Sequence, residues 1–253
     1  MIPRIIHYAW VGPKAIPERD RRLVDAWRRL LPDYEFRFWN NDTVDFRHRY
    51  LRQAYSVRAW NRVSDFQRLY ALVHHGGIYL DTDVELRRPL DPLLGQSCFF
   101  GYQREDDHVD AVNGAVIGAV AGHWFIRELL AQFEETMHGA ENSGSYSGPG
   151  LISDRLRSLG LPPCSDEIQR VRDITLYPTR YFYPYHWEED FSEDRVTDDT
   201  YAIHHWADTW KPASARARAR AKALRYAARL APSLTFHLTQ AAVRRERLRA
   251  GTA

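Results

Sequence analysis

Apolar and polar positions along this chain switch repeatedly between the strand period and the helix period. Arg4-Ile5-Ile6-His7-Tyr8-Ala9-Trp10 is a β-rich run that stops at Gly12-Pro13, which predicts a buried strand feeding a loop. Over residues 18–31 the apolar Leu23, Val24, Trp27, Leu30 and Leu31 recur at helical spacing until Pro32 ends the pattern. Tyr34-Glu35-Phe36-Arg37-Phe38-Trp39 then alternates as a half-buried strand, completing a β-α-β opening. A mostly helical stretch over 48–74 leads through Gly76-Gly77 into the strand Ile78-Tyr79-Leu80. Residues 97–102 and 111–120 read as further strands and 123–137 as a helix. The stretch 141–150 is the most loop-like in the chain, an active-site flap or a plain connection. Strand and helix signals alternate without an internal repeat, so the expected class is α/β, with a mostly parallel sheet between helices.

Composition narrows this picture. With 253 residues, 44% of them hydrophobic and 27% charged, the chain can bury a sizeable core, which excludes disordered and fibrous classes. No apolar run approaches the ~20 residues that span a bilayer, and the first residues lack the layout of a signal peptide, so a cytoplasmic location is expected. Two cysteines, Cys98 and Cys164, are too few for a disulfide scaffold and lack the spacing of a zinc or iron–sulfur site. The net charge of +2 hides an asymmetry, because residues 211–253 carry 11 Lys or Arg against one acid, Glu246. The body is therefore acidic, which argues against nucleic acid as a partner. The expected division is one domain over 1–211 and a basic helical extension over 212–253. Arginines interleaved with alanine favour helix and suit an anionic surface, such as the inner face of a membrane. The alternative is a solvated helix that docks Leu224, Leu230, Leu234 and Leu238 on the domain.

The sharpest chemical feature is Gly76-Gly77-Ile78-Tyr79-Leu80-Asp81-Thr82-Asp83-Val84, an apolar strand ending in two aspartates. In an extended backbone, residues two apart face one side. Two converging carboxylates repel unless a cation sits between them, and oxygen ligands favour Mg²⁺ or Mn²⁺. Asp65 and Arg68 lie three apart on the predicted helix and share a face, as an ordinary ion pair or as a pair gripping a ligand. Trp10 and Trp39 end the two N-terminal strands, where α/β sheets bind ligands. Tyr201-Ala202-Ile203-His204-His205-Trp206-Ala207-Asp208-Thr209-Trp210-Lys211 gathers two histidines, two tryptophans, an acid and a lysine. One histidine can complete a cation's shell while Trp210 and Lys211 face phosphate oxygens. Asp106, in the acidic Glu105-Asp106-Asp107 group, and Asn113 are candidates for the acceptor side.

Taken in order, these segments, together with Gly148-Pro149-Gly150, resemble glycosyltransferase family thirty-two. That group includes bacterial capsular polysaccharide enzymes and the yeast initiating mannosyltransferase, and is similar to the catalytic core of the large clostridial glucosylating toxins. The resemblance implies a single GT-A type domain and a divalent cation, Mn²⁺ or Mg²⁺. It also implies a nucleotide-sugar donor, retention of anomeric configuration, and a saccharide, lipid-linked or small-molecule acceptor. Carried onto this chain, it makes Asp83 the direct metal ligand, with Asp81 shared between metal and donor. Asp65 and Arg68 become the donor-sugar pair. Tyr8, Trp10, Trp39 and Tyr79 join the donor side, Trp10 against the nucleobase, and Gly148 joins the acceptor side. His205 is the expected further metal ligand, His204 the second choice, and Trp210 with Lys211 face the leaving phosphate. A UDP-sugar is favoured and a GDP-sugar stays open. A metal-dependent phosphohydrolase and a non-catalytic sugar-nucleotide-binding protein are the rival readings.

Overall fold

The computed structural model describes residues 1–103, 112–139, 148–207 and 215–251. The opening β-α-β unit is β1 (Ile5–Ala9), α1 (Glu18–Leu30) and β2 (Glu35–Trp39). α1 buries Val24 and Trp27 and ends on Arg28 and Arg29, cations placed where a helix dipole favours them. The stretch expected as one helix is two, α2 (Arg49–Ser56) and α3 (Trp60–His75). The break falls at Arg58, whose φ of 56° is left-handed, while the Ala59 N–H reaches back to the Ala54 carbonyl at 2.9 Å. That bond closes a helix end without glycine.

After α3 the chain reverses through Gly76 and Gly77, both at positive φ, into β3 (Gly77–Leu80). A Cβ on Gly77 would stand 2.6 Å from the Ile5 carbonyl oxygen, so only glycine lets β3 lie against β1 here. The remaining elements are β4 (Val84–Leu86), β5 (Cys98–Tyr102), β6 (Val112–Ala119), α4 (Trp124–Gly139), α5 (Gly148–Ser158), β7 (Gln169–Val171), β8 (Ile174–Tyr177), α6 (Thr179–Phe182), β9 (Ala202–His204), α7 (Ala215–Leu230) and α8 (Pro232–Ala250). Within the expected loop 141–150, residues 141–147 lie outside the described set. Gly148, Pro149 and Gly150 instead begin α5, because proline in a first helical turn gives up no hydrogen bond.

The main sheet has seven strands in the order β2-β1-β3-β6-β5-β8-β7. β1 pairs with β3 and β5 with β8 in parallel, while β6 runs antiparallel between β3 and β5 and β7 closes the edge antiparallel to β8. β2 lies beside β1 in the same direction: the Glu35 N–H meets the Arg4 carbonyl at one end and the Trp10 N–H meets the Trp39 carbonyl at the other, both at 2.9 Å. Most strands thus point one way, in a mixed α/β sheet. β3, β5, β6 and β8 are buried at every position, so both of their faces are covered. A separate two-stranded ribbon pairs β4 with β9.

Two compact units divide the chain. The first comprises Met1–Tyr8, Glu18–Arg37 and Arg68–Trp206; the second comprises Ala9–Pro17, Phe38–Gln67 and Ala207–Ala253. In the second, Phe236 of α8 packs against Phe46 and Tyr55, and the Thr239 hydroxyl donates to the Ser56 carbonyl at 3.0 Å. Arg58 holds Glu246 of α8 through two bonds of 2.8 and 3.0 Å.

One buried residue in the first unit sets a pH limit on stability. His7 in β1 is fully buried, with Nε2 2.8 Å from the Gly76 carbonyl oxygen, and burial lowers its pKa to about 4. The unfolded chain, with an ordinary histidine pKa of about 6.5, binds the proton more readily. Stability is therefore complete above the unfolded pKa and falls as pH drops toward 4, by about 3 kcal/mol. Urea unfolding at pH 7.5 and 5 should show about 2 kcal/mol of this loss, and a His7→Gln variant should flatten most of the dependence. An equal slope in the variant would refute the assignment.

Candidate active site

The aspartates do not converge through strand pleating. Asp81 leaves β3 with its N–H on the Ala115 carbonyl at 2.9 Å, and the chain then turns so that the Val84 N–H bonds the Asp81 carbonyl at 3.1 Å. This turn, rather than an extended backbone, brings the two carboxylates together. The Trp27 indole of α1 donates to the Val84 carbonyl at 2.8 Å and fixes the start of β4. Thr82, between the aspartates, faces the buried Asp20 of α1 at 3.4 Å. The first helix therefore supports the turn from behind.

Arg68 of α3 holds Asp81 from the other side. One guanidinium nitrogen lies 2.9 and 3.3 Å from the two Asp81 oxygens, and the other donates to the Gly114 carbonyl at 2.7 Å. The guanidinium carbon lies 4.8 Å from the centre of the Tyr79 ring. Gly114 makes room for this arrangement, since a Cβ there would stand 2.6 Å from the Arg68 nitrogen. Arg68 is only 7% exposed, so its charge is partnered rather than solvated. Tyr79, expected on the donor side, is fully buried and forms the floor under Arg68. β3 is covered on both faces, which leaves this ring no path to a donor. Asp65, one turn earlier on α3, is also buried, and together with burial its charge raises the pKa of Tyr50.

The β4–β9 ribbon delivers the histidines. Val84 pairs with His204, which places the His204 Nε2 3.4 Å from an Asp83 oxygen. One donor atom each from Asp81, Asp83 and His204 lies within 4.8 Å of the others. His205, the expected ligand, is turned away: its N–H bonds the Asp83 carbonyl at 3.1 Å while its ring bonds Glu85 at 2.9 Å and lies 3.4 Å from the Tyr185 hydroxyl. β9 ends at His204, and the residue beyond it carries its ring to Glu85 instead. The structure brings His204, not His205, beside the two aspartates.

Burial disfavours charge on His204, but the charge of Asp83, a hydrogen bond to it and the charge of Asp81 together outweigh that cost and raise its pKa. The ring is wedged between Trp206, with centroids 4.2 Å apart, and the edge of Tyr183 at 5.9 Å. Its Nδ1 is buried without a hydrogen-bond partner among the described residues. Glu85, with His205 and Arg87 as partners, has its pKa lowered. Two carboxylates and an imidazole, one of whose ring nitrogens is buried without a hydrogen bond among the described residues, fit a divalent cation of the Mn²⁺ or Mg²⁺ kind.

The other expected residues divide. Trp10 and Trp39 are adjacent and half-buried, linked by the backbone bond that joins β1 to β2, and the Trp10 indole donates to the Lys14 carbonyl at 2.7 Å. The buried Tyr8 ring packs edge-on to Trp27, and its hydroxyl accepts a bond of 2.9 Å from Arg28, so its contacts are with α1. Asn113 lies within β6 with both ends of its amide engaged, donating to Gln103 at 2.8 Å and accepting from the Ala115 N–H at 2.7 Å. That leaves it bracing the strand beside Asp81 rather than addressing an acceptor. Gly148 is buried at the start of α5. Asp106, Trp210 and Lys211 lie outside the described residues. Gly114 escaped the sequence reading, because β6 also carries Ala115, Gly118 and Ala119 and no local pattern sets Gly114 apart from them.

A mostly parallel α/β sheet whose central strand ends in an Asp-x-Asp turn, with a histidine brought beside it, defines a glycosyltransferase of the GT-A class. Residues 17–100 match the family model described as "Glycosyltransferase sugar-binding region containing DXD motif", and residues 119–246, half of the chain, match that of the "Alpha 1,4-glycosyltransferase conserved region". The chain belongs to this family of Asp-x-Asp glycosyltransferases, the family-thirty-two type. It is 27% identical to the uncharacterized glycosyltransferase L373 of Acanthamoeba polyphaga mimivirus, over 84% of this chain and 85% of that protein. It is 26% identical to inositol phosphoceramide mannosyltransferase 3 of Schizosaccharomyces pombe, over 81% of this chain. It spans 60% of that enzyme's length and less of its two paralogues, 33% and 42%. Among solved structures the PaToxG glycosyltransferase shares the fold, with a TM-score of 0.50 at 20% identity over 62% of this chain and 69% of that one.

Proposed function

We propose that this glycosyltransferase moves a hexose, with retention of anomeric configuration and in a divalent-metal-dependent reaction, from a nucleotide-sugar donor to a hydroxyl of a saccharide, lipid-linked or small-molecule acceptor. A UDP-sugar is the favoured donor and a GDP-sugar the second. The observation that carries this reading is the convergence of Asp81, Asp83 and His204, with Arg68 locking Asp81 in place. Asp83 and His204 hold the cation, and Asp81 has one side on Arg68 and the other toward the donor. When bound, Mn²⁺ or Mg²⁺ supplies Lewis-acid stabilisation of the charge that grows on the diphosphate. Arg68 holds the Asp81 carboxylate in place, so the site meets the donor already organised. Trp10 and Trp39 offer flat faces to a nucleobase, a mode of binding that tolerates any base. A yeast relative is named for an inositol phosphoceramide acceptor, which favours a lipid-linked acceptor over a free one. The phosphohydrolase and binding-only readings are not favoured, since the family is one of transferases.

The test is thermal unfolding against a panel of UDP-, GDP- and dTDP-hexoses, with and without Mn²⁺. A matching donor at about 100 times its Kd stabilises the native state by about 2.7 kcal/mol, and only with metal present. Release of nucleoside diphosphate should follow the same donor. Absence of any shift with every donor in Mn²⁺ and Mg²⁺ would refute the reading. Phosphate release from simple esters without sugar transfer would favour a hydrolase.

A further inference from the structure

α8 is apolar on two opposite sides. Its inner side, Thr235, Phe236, Thr239 and Val243, is buried against the second unit. On the opposite side Leu234 and Leu238, one turn apart, are 59% and 62% exposed, and Leu248, nearly three turns further along the same side beyond Ala241 and Arg245, is 61% exposed. α7 continues the pattern across the Ala231-Pro232 turn, with Tyr226 at 66% and Leu230 at 71% exposure. Three of the four leucines that the sequence could have docked on the domain therefore face outward. Scattered exposed leucines need no explanation, but a row of them bracketing one turn of two packed helices marks a docking surface.

The charge around this row identifies the occupant. Lys222 and Arg225 on α7 and Arg244, Arg245 and Arg249 on α8 are all exposed. The single acid of these helices, Glu246, is tied to Arg58. A second copy of the chain would bring the same cations face to face, and an apolar protein partner would leave them uncompensated. An anionic bilayer satisfies both features at once, because leucine and tyrosine enter the acyl boundary while arginines stay at the phosphates. No helix among the described residues is long and apolar enough to cross a membrane, so the contact is one of lying on the surface.

We propose that the outward side of α7 and α8 docks on an anionic lipid bilayer, with Tyr226, Leu230, Leu234 and Leu238 entering the interface and the flanking arginines meeting lipid phosphates. This surface would bring the enzyme to acceptors carried in the same membrane, a clause that rests on the transfer reading; the docking itself does not.

The experiment is co-sedimentation of the full chain with vesicles of phosphatidylcholine alone and with about one-third phosphatidylglycerol. It is run beside a Leu234→Ser, Leu238→Ser double variant and an Arg244→Gln, Arg245→Gln double variant. The expected result is binding to the anionic vesicles only, weakened tenfold or more in each variant and by raised salt. Both variants should keep the parent melting temperature and its donor-dependent shift, because all four positions are exposed. Failure to bind anionic vesicles, equal binding to neutral ones, or undiminished binding by the leucine variant would overturn the proposal. So would a salt-resistant dimer that the leucine substitutions dissolve, which would give the surface to a second copy. A parent chain that fails to bind anionic vesicles while keeping its donor shift refutes docking alone, and a parent chain that binds them without any donor shift refutes the transfer reading alone.

Discussion

Asp83→Ala should lower sugar transfer at least about 1,000-fold and abolish metal-dependent stabilisation by the donor, while the protein stays folded. Lewis-acid assistance to a departing diphosphate contributes several kcal/mol to the barrier, and each 1.36 kcal/mol is a factor of ten. The fold should survive because the turn does not depend on the Asp83 side chain. The Asp83 carbonyl accepts the His205 N–H, the neighbouring Val84 N–H bonds the Asp81 carbonyl, and alanine keeps both. Removing one of two crowded carboxylates also relieves repulsion in the metal-free protein. Asp83→Asn keeps the volume and removes the charge, and it should lose nearly as much activity, which separates a lost ligand from lost packing. Transfer assays with both variants, beside their melting curves with and without Mn²⁺, decide the matter. A residual rate within tenfold of the parent in either variant would remove Asp83 from the metal site.

The parts of this site that were legible in the sequence are those announced by local pattern. Ile78-Tyr79-Leu80 reads as a buried strand because three apolar residues follow a glycine pair, and the aspartates after it are visible as a motif. Arg68 was visible too, but helical spacing pointed it at Asp65, whereas its contact with Asp81 depends on how α3 crosses β3 and on the space left by Gly114. The β4–β9 ribbon escaped notice because three-residue strands carry no period. That omission propagated to the histidines. β9 ends at His204 with His205 just beyond it, and which of the two meets Asp83 depends on the pairing of Val84 with His204, a contact between positions 120 residues apart in the chain. The direction of Leu234 and Leu238 was likewise undecidable from a helix that is apolar on both sides, since the pattern cannot say which side is covered.

The two histidines should therefore separate by experiment. His204→Ala is expected to weaken Mn²⁺ binding and transfer by about 100-fold or more, and His205→Ala by less than about tenfold. His204 contributes a donor atom within 4.8 Å of both aspartates, while the His205 ring is occupied by Glu85. Losing the His205 ring does not orphan that carboxylate, because Arg87 also bonds Glu85 at 2.9 Å. The His204→Ala variant removes a ring packed between Trp206 and Tyr183 and so opens a cavity, which costs stability on its own account. His204→Gln, which refills most of that space, serves as the control. If it restores the melting temperature while metal affinity stays low, the loss belongs to the ligand and not to packing. Calorimetric titration with Mn²⁺ reads affinity without the reaction, so the comparison holds even before the donor sugar is known. The reverse order of effects, with His205 the more damaging, would mean that the ribbon shifts register by one residue when metal binds, and the site would have to be rebuilt on His205 and Glu85.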